Sequence, residues 1–226
     1  TFLFRSPDSW IIIRNTILYN IVFIFLGTAF SVFIAILLNE CSRKWQKRYQ
    51  TLILIPHLLP YVVVSYIAYA FLGAENGMIN NQILRPLGLD PIPFYTEDKY
   101  WPFILVFVNI WKTFGYSSII YFASIIGIDR TYYEAAEVDG ASAWTQIWSI
   151  TLPLLKPVLI TMLLLSVGRI LYSDFGLFYQ TVKTSSILQS TTDVIDTYVF
   201  RLLIDSSDYG TSAAAGLFQS ILCFIT

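Results

Sequence analysis

The sequence predicts an all-α protein: a polytopic transmembrane helical bundle of about five spans, forming a single transmembrane domain over residues 1–226. Three observations carry this. Hydrophobic residues make up 56% of the chain and charged ones 13%, with a mean hydropathy of +0.62, whereas a soluble domain carries about a quarter charged residues. Apolar runs of membrane-spanning length recur along the chain. The polar segments between them differ in sign, the first strongly basic and the next acidic.

Residues 1–16 are mixed, with Arg5, Asp8 and Arg14, and Trp10 suits the headgroup interface. Ile17 to Leu38 runs without a charge. At about 1.5 Å per residue it is long enough for the hydrocarbon core. Gly27, Ala29, Ser31 and Ala35 offer it a small-residue face for helix packing. Glu40 to Gln50 holds Arg43, Lys44, Lys47 and Arg48 against one acid, which places this segment in the cytoplasm. Thr51 to Leu72 is the second span, with a kink expected at Pro56 and Pro60. His57 between them reads as a buried or interfacial hydrogen-bonding group.

Gly73 to Tyr100 is a polar loop in which Glu75, Asp90, Glu97 and Asp98 outnumber Arg85 and Lys99, so it belongs outside. Trp101 to Ile126 is the third span. Lys112 lies near its middle, where a lipid-facing charge costs about 3 kcal/mol on insertion scales. It must face a cavity, a partner helix or a carboxylate. A cytoplasmic loop follows from Gly127 to Pro153. Leu154 to Leu171 is the fourth span, and Lys156 near its start can snorkel to the headgroups. Tyr172 to Thr211 contains Asp174, Asp193, Asp196, Asp205 and Asp208 and is expected outside, with a surface or re-entrant helix around Asp193 to Ile204. Ser212 to Thr226 begins a fifth span. The chain has no initiator Met and ends within an apolar run. It is therefore expected to be the ordered part of a longer protein whose N-terminal helix precedes it.

Several function classes are excluded. The net charge of −1 implies no nucleic-acid partner. Cys41 and Cys223 form neither a disulfide framework nor a metal spacing. One His and no intramembrane carboxylate pair argue against a membrane-embedded enzyme, and with no inverted repeat they argue against a proton- or sodium-driven carrier. No G-x-x-x-x-G-K-[ST] occurs, so this chain cradles no nucleotide phosphate.

The cytoplasmic loop carries the most informative stretch, Glu134 to Pro153. Thr131 to Glu134 has the S/T-x-x-E form of a helix capping box. Glu134 and Glu137 put negative charge near the positive end of the helix. Ala135, Ala136, Ala141 and Ala143 keep it thin, Gly140 allows a turn or a close backbone approach, and Pro153 resets the chain before the next apolar run. Such a helix suits docking into a partner's groove.

The spacing Glu134-Ala135-Ala136, Gly140, Ile150, Leu152, Pro153, with Asp139 before the glycine, resembles the E-A-A…G…I-x-L-P signature of binding-protein-dependent ABC importer permeases. Asp129 before Tyr133, Asp193 to Tyr198, Ala213 to Gln219 and the stretch from Pro56 to Asn80 resemble the carbohydrate group, most closely the complex polysaccharide and oligosaccharide permeases. Thr181-Val-Lys-Thr lacks the Gly-Gly-Pro of many disaccharide permeases. The resemblance implies the type I ABC importer permease fold in a bacterial inner (plasma) membrane. It makes the loop the coupling helix, seated on the ATPase. It also implies four partners besides membrane lipid: a second permease subunit, two ATP-binding subunits on the cytoplasmic side, and an extracytoplasmic substrate-binding protein. ATP and Mg²⁺ would sit on the ATPase, so this chain would hold no cofactor and be no enzyme. A peptide or amino acid cargo is the alternative to a sugar.

A sugar presents hydroxyls at its edge and C–H groups on its faces, so its path needs hydrogen-bonding groups and flat aromatic rings. Asn109, Trp111, Lys112 and Tyr116 supply both in the third span, and Arg169, Tyr172 and Asp174 are candidates for the outer mouth. Alternatively these side chains bond to one another or to the partner permease.

Overall fold

The computed structural model describes residues 7–183, 185–205 and 209–225. Arg5, Thr184, Asp208 and Thr226, invoked above, lie outside the described residues. Among those described, the secondary structure is helical. The main helices are α1 (Pro7–Glu40), α2 (Arg43–Leu58), α3 (Tyr61–Leu72), α4 (Trp101–Ile126), α5 (Arg130–Val138), α6 (Ala143–Val167), α7 (Phe175–Val182), α8 (Ile195–Asp205) and α9 (Tyr209–Ile225), with a single α-turn at Gln189–Thr192 and short π and 3-10 turns between some of them.

Among the described residues three helical stretches, Ser9–Glu40, Asp98–Ile126 and Ala143–Val167, are long and apolar enough to cross a membrane. The pair α2 and α3 passes the same test together but is broken at Leu59–Pro60. The expected kink is therefore a full break. Pro60 lacks the N–H that would bond the carbonyl of Pro56, and its ring forces the preceding residue out of helical geometry. α9 is apolar but shorter, at 17 residues. The third span matches α4 from end to end, and the helix expected at Asp193 to Ile204 is α8.

The fourth span differs from expectation. The helix starts at Ala143, inside what reads as loop, and runs through Pro153 without resetting there. Residues Ile147–Thr151 form a π turn, in which the Leu152 N–H bonds to the Ile147 carbonyl. The widened turn directly precedes Pro153, whose ring would collide with the carbonyl four residues back in a straight α-helix.

The described chain forms two compact units. One comprises Phe23–Leu58 and Ile110–Val167. Its core joins Val32, Ala35 and Leu38 of α1, Tyr121, Phe122 and Ile125 of α4, and Leu155 of α6. The buried small residues of α1 are Ser31 and Ala35, one turn apart. Ala29 is exposed and a Cβ at Gly27 would meet nothing, so the close-packing face is half as long as the sequence suggests. The tightest approach lies elsewhere: a Cβ at Gly115 of α4 would stand 1.8 Å from the Ile53 carbonyl oxygen of α2.

That approach brings Lys112 to the broken end of α2. It is 8% exposed, and its Nζ donates to the carbonyls of His57 at 3.0 Å and Pro56 at 3.4 Å. The last carbonyls of a helix lack intrahelical partners and carry its partial negative charge. The ammonium satisfies two of them. Of the three environments open to Lys112 from the sequence, this is the partner helix.

The other unit comprises residues up to Val22, Leu59–Asn109 and Gly168 onwards. Ile12, Leu171 and Ile195 pack together at one place and Ala68, Leu72 and Phe94 at another. The loop after α3 folds around Asn80, which is fully buried. Its Nδ2 donates to the carbonyls of Gly73, Ala74 and Ile92, and its Oδ1 accepts from the Ile92 N–H at 3.0 Å. Gly77 is needed beside it, since a Cβ there would lie 2.2 Å from the Gly73 carbonyl oxygen. The segment around α8 is likewise tied down by polar groups. Asp193 pairs with Arg201 and accepts from Thr197. Asp196 accepts from the Ser173 N–H and from Gln219. The Ile195 N–H donates to Thr16 of α1.

Replacing Lys112 with Met keeps its length and leaves those α2 carbonyls short of a donor. A loss of about 1–3 kcal/mol is expected, read as a lowered unfolding midpoint of the purified permease complex. Gly115→Val forces the α2 backbone away and should be worse than Lys112→Met. An unchanged midpoint for both would mean that the α2–α4 contact contributes nothing.

Candidate functional site: an exposed helix on a left-handed hinge

α5 begins at Asp129, not at a capping box. The Asp129 carboxylate accepts from the Thr131 N–H at 3.0 Å, with its own backbone extended (φ −62, ψ 128), which makes it the N-cap. Thr131 lies inside the first turn, so it cannot act as the cap, and Glu134 lies beyond it. The sequence signal for this was the Asp two residues before Thr131, in a residue type as favourable at a cap as any. The bond to the Thr131 backbone N–H, with help from the Thr131 side chain, holds the Asp129 carboxyl below the usual range. A depressed carboxyl pKa stabilises above the ordinary Asp range and is lost as the pH falls through the folded value. The cap is therefore complete at neutral pH.

The helix ends at Val138, and Gly140 takes φ +78, the left-handed conformation that residues with a Cβ avoid. Among the described residues nothing crowds Gly140, so of the two roles open to it the turn is the one observed. The Ala141 N–H closes the turn onto the Ala136 carbonyl at 2.8 Å. Ser142 then caps α6, accepting from the Thr145 N–H. Two caps flank one glycine, and the hinge is a few residues long.

Of the motif residues, Glu134, Ala135, Asp139 and Gly140 are exposed and Ala136 is half-buried. α5 has no buried residue. Val138, Trp144, Trp148 and Tyr132 are also exposed, Val138 at 88%. Ile150, Leu152 and Pro153 stand on α6, at and after the π turn. Tyr133 ties the two helices together, its hydroxyl 2.9 Å from that of Thr151. Beside α5 lies a cleft of about 920 Å³ lined by Glu40, Arg43, Arg130, Tyr133, Glu134 and Gln146 among others. A helix carrying apolar groups with nothing over them, on a short hinge clamped at its base, can transmit a push applied to its outer face.

The path candidates fall into two sets. In the first compact unit, Tyr116 is 52% exposed and stacks on the His57 ring, centroids 4.8 Å apart and planes 13° from parallel. His57 is itself exposed and presents a flat face, a role the hydrogen-bonding reading missed. Lys112 lies behind this pair with its ammonium on α2. Trp111 is half-buried. In the second unit, Asn109 is half-buried and Arg169 is exposed. The Tyr172 hydroxyl meets Ser220 at 2.9 Å, and Asp174 caps α7 and bonds to Tyr61.

Residues 27–226 match the family described as binding-protein-dependent transport system inner membrane component. The chain is 32% identical to the protein LplB of Bacillus subtilis (strain 168) over 223 residues, 98% of this chain and 69% of that protein. It is 30% identical to the polygalacturonan/rhamnogalacturonan transport system permease protein YteP of the same organism, over 99% of this chain and 69% of that protein. A crystal structure of a bacterial alginate ABC transporter, in complex with a periplasmic protein carrying an alginate pentasaccharide, superposes with a TM-score of 0.92. The identity there is 32%, over 99% of this chain and 77% of the matched one.

Asp129→Ala should raise the amide exchange rate of the first turn of α5 while Asp129→Asn, which can still cap, should not. Equal exchange in the two variants would assign the start of α5 to some other contact.

Proposed function

Because the chain belongs to the family of binding-protein-dependent transport system inner membrane components, we propose that it is a permease subunit of an ATP-driven ABC importer that carries an oligosaccharide into the cytoplasm. The observation that carries the mechanism is the hinge. Glu134, Ala135 and Ala136 lie on an exposed helix that Asp139 and Gly140 join to α6 and that Tyr133 ties to Thr151 of α6. In this reading α5 is the coupling helix and seats on an ATP-binding subunit. Closure of the ATPase pair on ATP and Mg²⁺ displaces it. Ile150, Leu152 and Pro153 pass the motion into the spanning part of α6. The chain itself does not hydrolyse ATP.

The partners follow from the same reading: a second permease subunit, two ATP-binding subunits and an extracytoplasmic binding protein. The carbohydrate class is supported by the names of the relatives and by the chemistry of the candidates. Tyr116 and His57 are stacked on each other, which leaves the outward face of a ring for a sugar's C–H groups to stack on. The Lys112 ammonium is occupied by α2, so we assign it to holding that aromatic pair in place and leave direct contact to Tyr116, Trp111 and Asn109. Arg169, Tyr172 and Asp174 remain candidates for the outer mouth.

Gly140→Val forbids the left-handed turn without touching the spans. It should abolish uptake of oligosaccharide while leaving membrane insertion intact and ATP hydrolysis running, the signature of uncoupling. Uptake at the unaltered rate would remove α5 and its hinge from the transport mechanism.

A further inference from the structure

The first two turns of α2 carry a feature that neither the fold nor transport uses. Arg43, Lys44, Lys47 and Arg48 crowd the N-terminal end of the helix, and the first turn holds no acid. Positive charge at that end opposes the helix dipole. The pairs Arg43/Lys47 and Lys44/Arg48 stand at i, i+4, where like charges repel. Among the described residues none of the four makes a salt bridge, and all four side chains are exposed. Arg43 lines the cleft beside Glu40 and Glu134, but the other three do not.

Helical geometry says where the rest point. Ile53 meets α4 at Gly115, so the opposite face of α2 is turned away from the core. That outward face carries Lys44, Arg48, Leu52 and Ile55 at spacings of four, four and three residues, all of them exposed. It grades from basic to apolar along one helix. At the boundary Trp45 stacks on Tyr49, centroids 5.9 Å apart, and the Arg48 guanidinium lies 4.9 Å from the centre of the Trp45 ring. Both rings are exposed, Trp45 at 47% and Tyr49 at 42%. Indole and phenol rings with one polar edge collect at the headgroup level, and basic clusters next to a spanning helix attract anionic lipid.

We infer that Lys44 and Arg48, with Trp45 beside them and Lys47 on their flank, form a binding site for the phosphate headgroup of an anionic phospholipid in the cytoplasmic leaflet. Leu52 and Ile55 lie against the acyl chains below it. The lipid phosphate supplies the negative charge that the start of α2 lacks. A protein partner would answer the charge equally well but would not account for the exposed apolar continuation of the same face.

The test uses the assembled transporter in mixed phosphatidylglycerol and phosphatidylcholine, with retained lipid counted by native mass spectrometry. The unaltered complex should retain phosphatidylglycerol several-fold in preference to phosphatidylcholine, and salt should weaken the preference. Lys44→Gln/Lys47→Gln/Arg48→Gln should abolish it, while Lys44→Arg/Lys47→Arg should preserve it. No preference in the unaltered complex overturns the inference, and that arm does not depend on any variant folding. Loss of the ATP-binding subunits from the Gln variant with the lipid preference intact also overturns it, and would assign the basic face to a protein contact.

Discussion

The contact between Lys112 and the end of α2 governs much of one compact unit. Pro60 stops α2 and strips the Pro56 carbonyl of its donor, which leaves a frayed, partly negative helix end beside a spanning helix. An unpaired lysine in the middle of that helix is costly for the opposite reason. Each defect is the other's remedy, with Nζ 3.0 Å from the His57 carbonyl oxygen. Gly115, one turn further along α4, is what allows the two backbones to come close enough. The break then leaves His57 free to turn its ring onto Tyr116. A charge, a proline and a glycine together place one aromatic face.

What was legible in the sequence follows from the range of the forces involved. The spans were readable because hydrocarbon imposes length and composition on every residue, and α4 was bounded to the residue. The hinge glycine was readable because a left-handed turn demands a residue without a Cβ. Local competition was less legible. Thr131 to Glu134 satisfied the capping pattern, yet Asp129 took the cap, since only the actual backbone path decides which side chain meets the free N–H groups. Pro153 read as a boundary because a proline ends an α-helix, but the π turn before it absorbs the missing bond. The small-residue stripe of α1 shortened to Ser31 and Ala35 because close packing depends on where the neighbouring helix lies. Gly115 and the stacked His57–Tyr116 pair went unread, being contacts between residues far apart in the chain.

The polar residues that the sequence associated with carbohydrate permeases turn out to have structural employment. Asn80 satisfies four backbone contacts in the loop after α3. Asp193 pairs with Arg201 of α8, and Asp196 of α8 accepts from Ser173 and Gln219. Their resemblance to the family is a resemblance of architecture. By contrast, the stacked His57–Tyr116 pair and the helix on its glycine turn are left exposed.

The most direct test is ATP hydrolysis by the complete complex in lipid, with its binding protein and a panel of oligosaccharides, peptides and amino acids. The account predicts stimulation by one class of oligosaccharide and by no peptide or amino acid. An active ATPase that responds to peptides or amino acids and to no saccharide would contradict it.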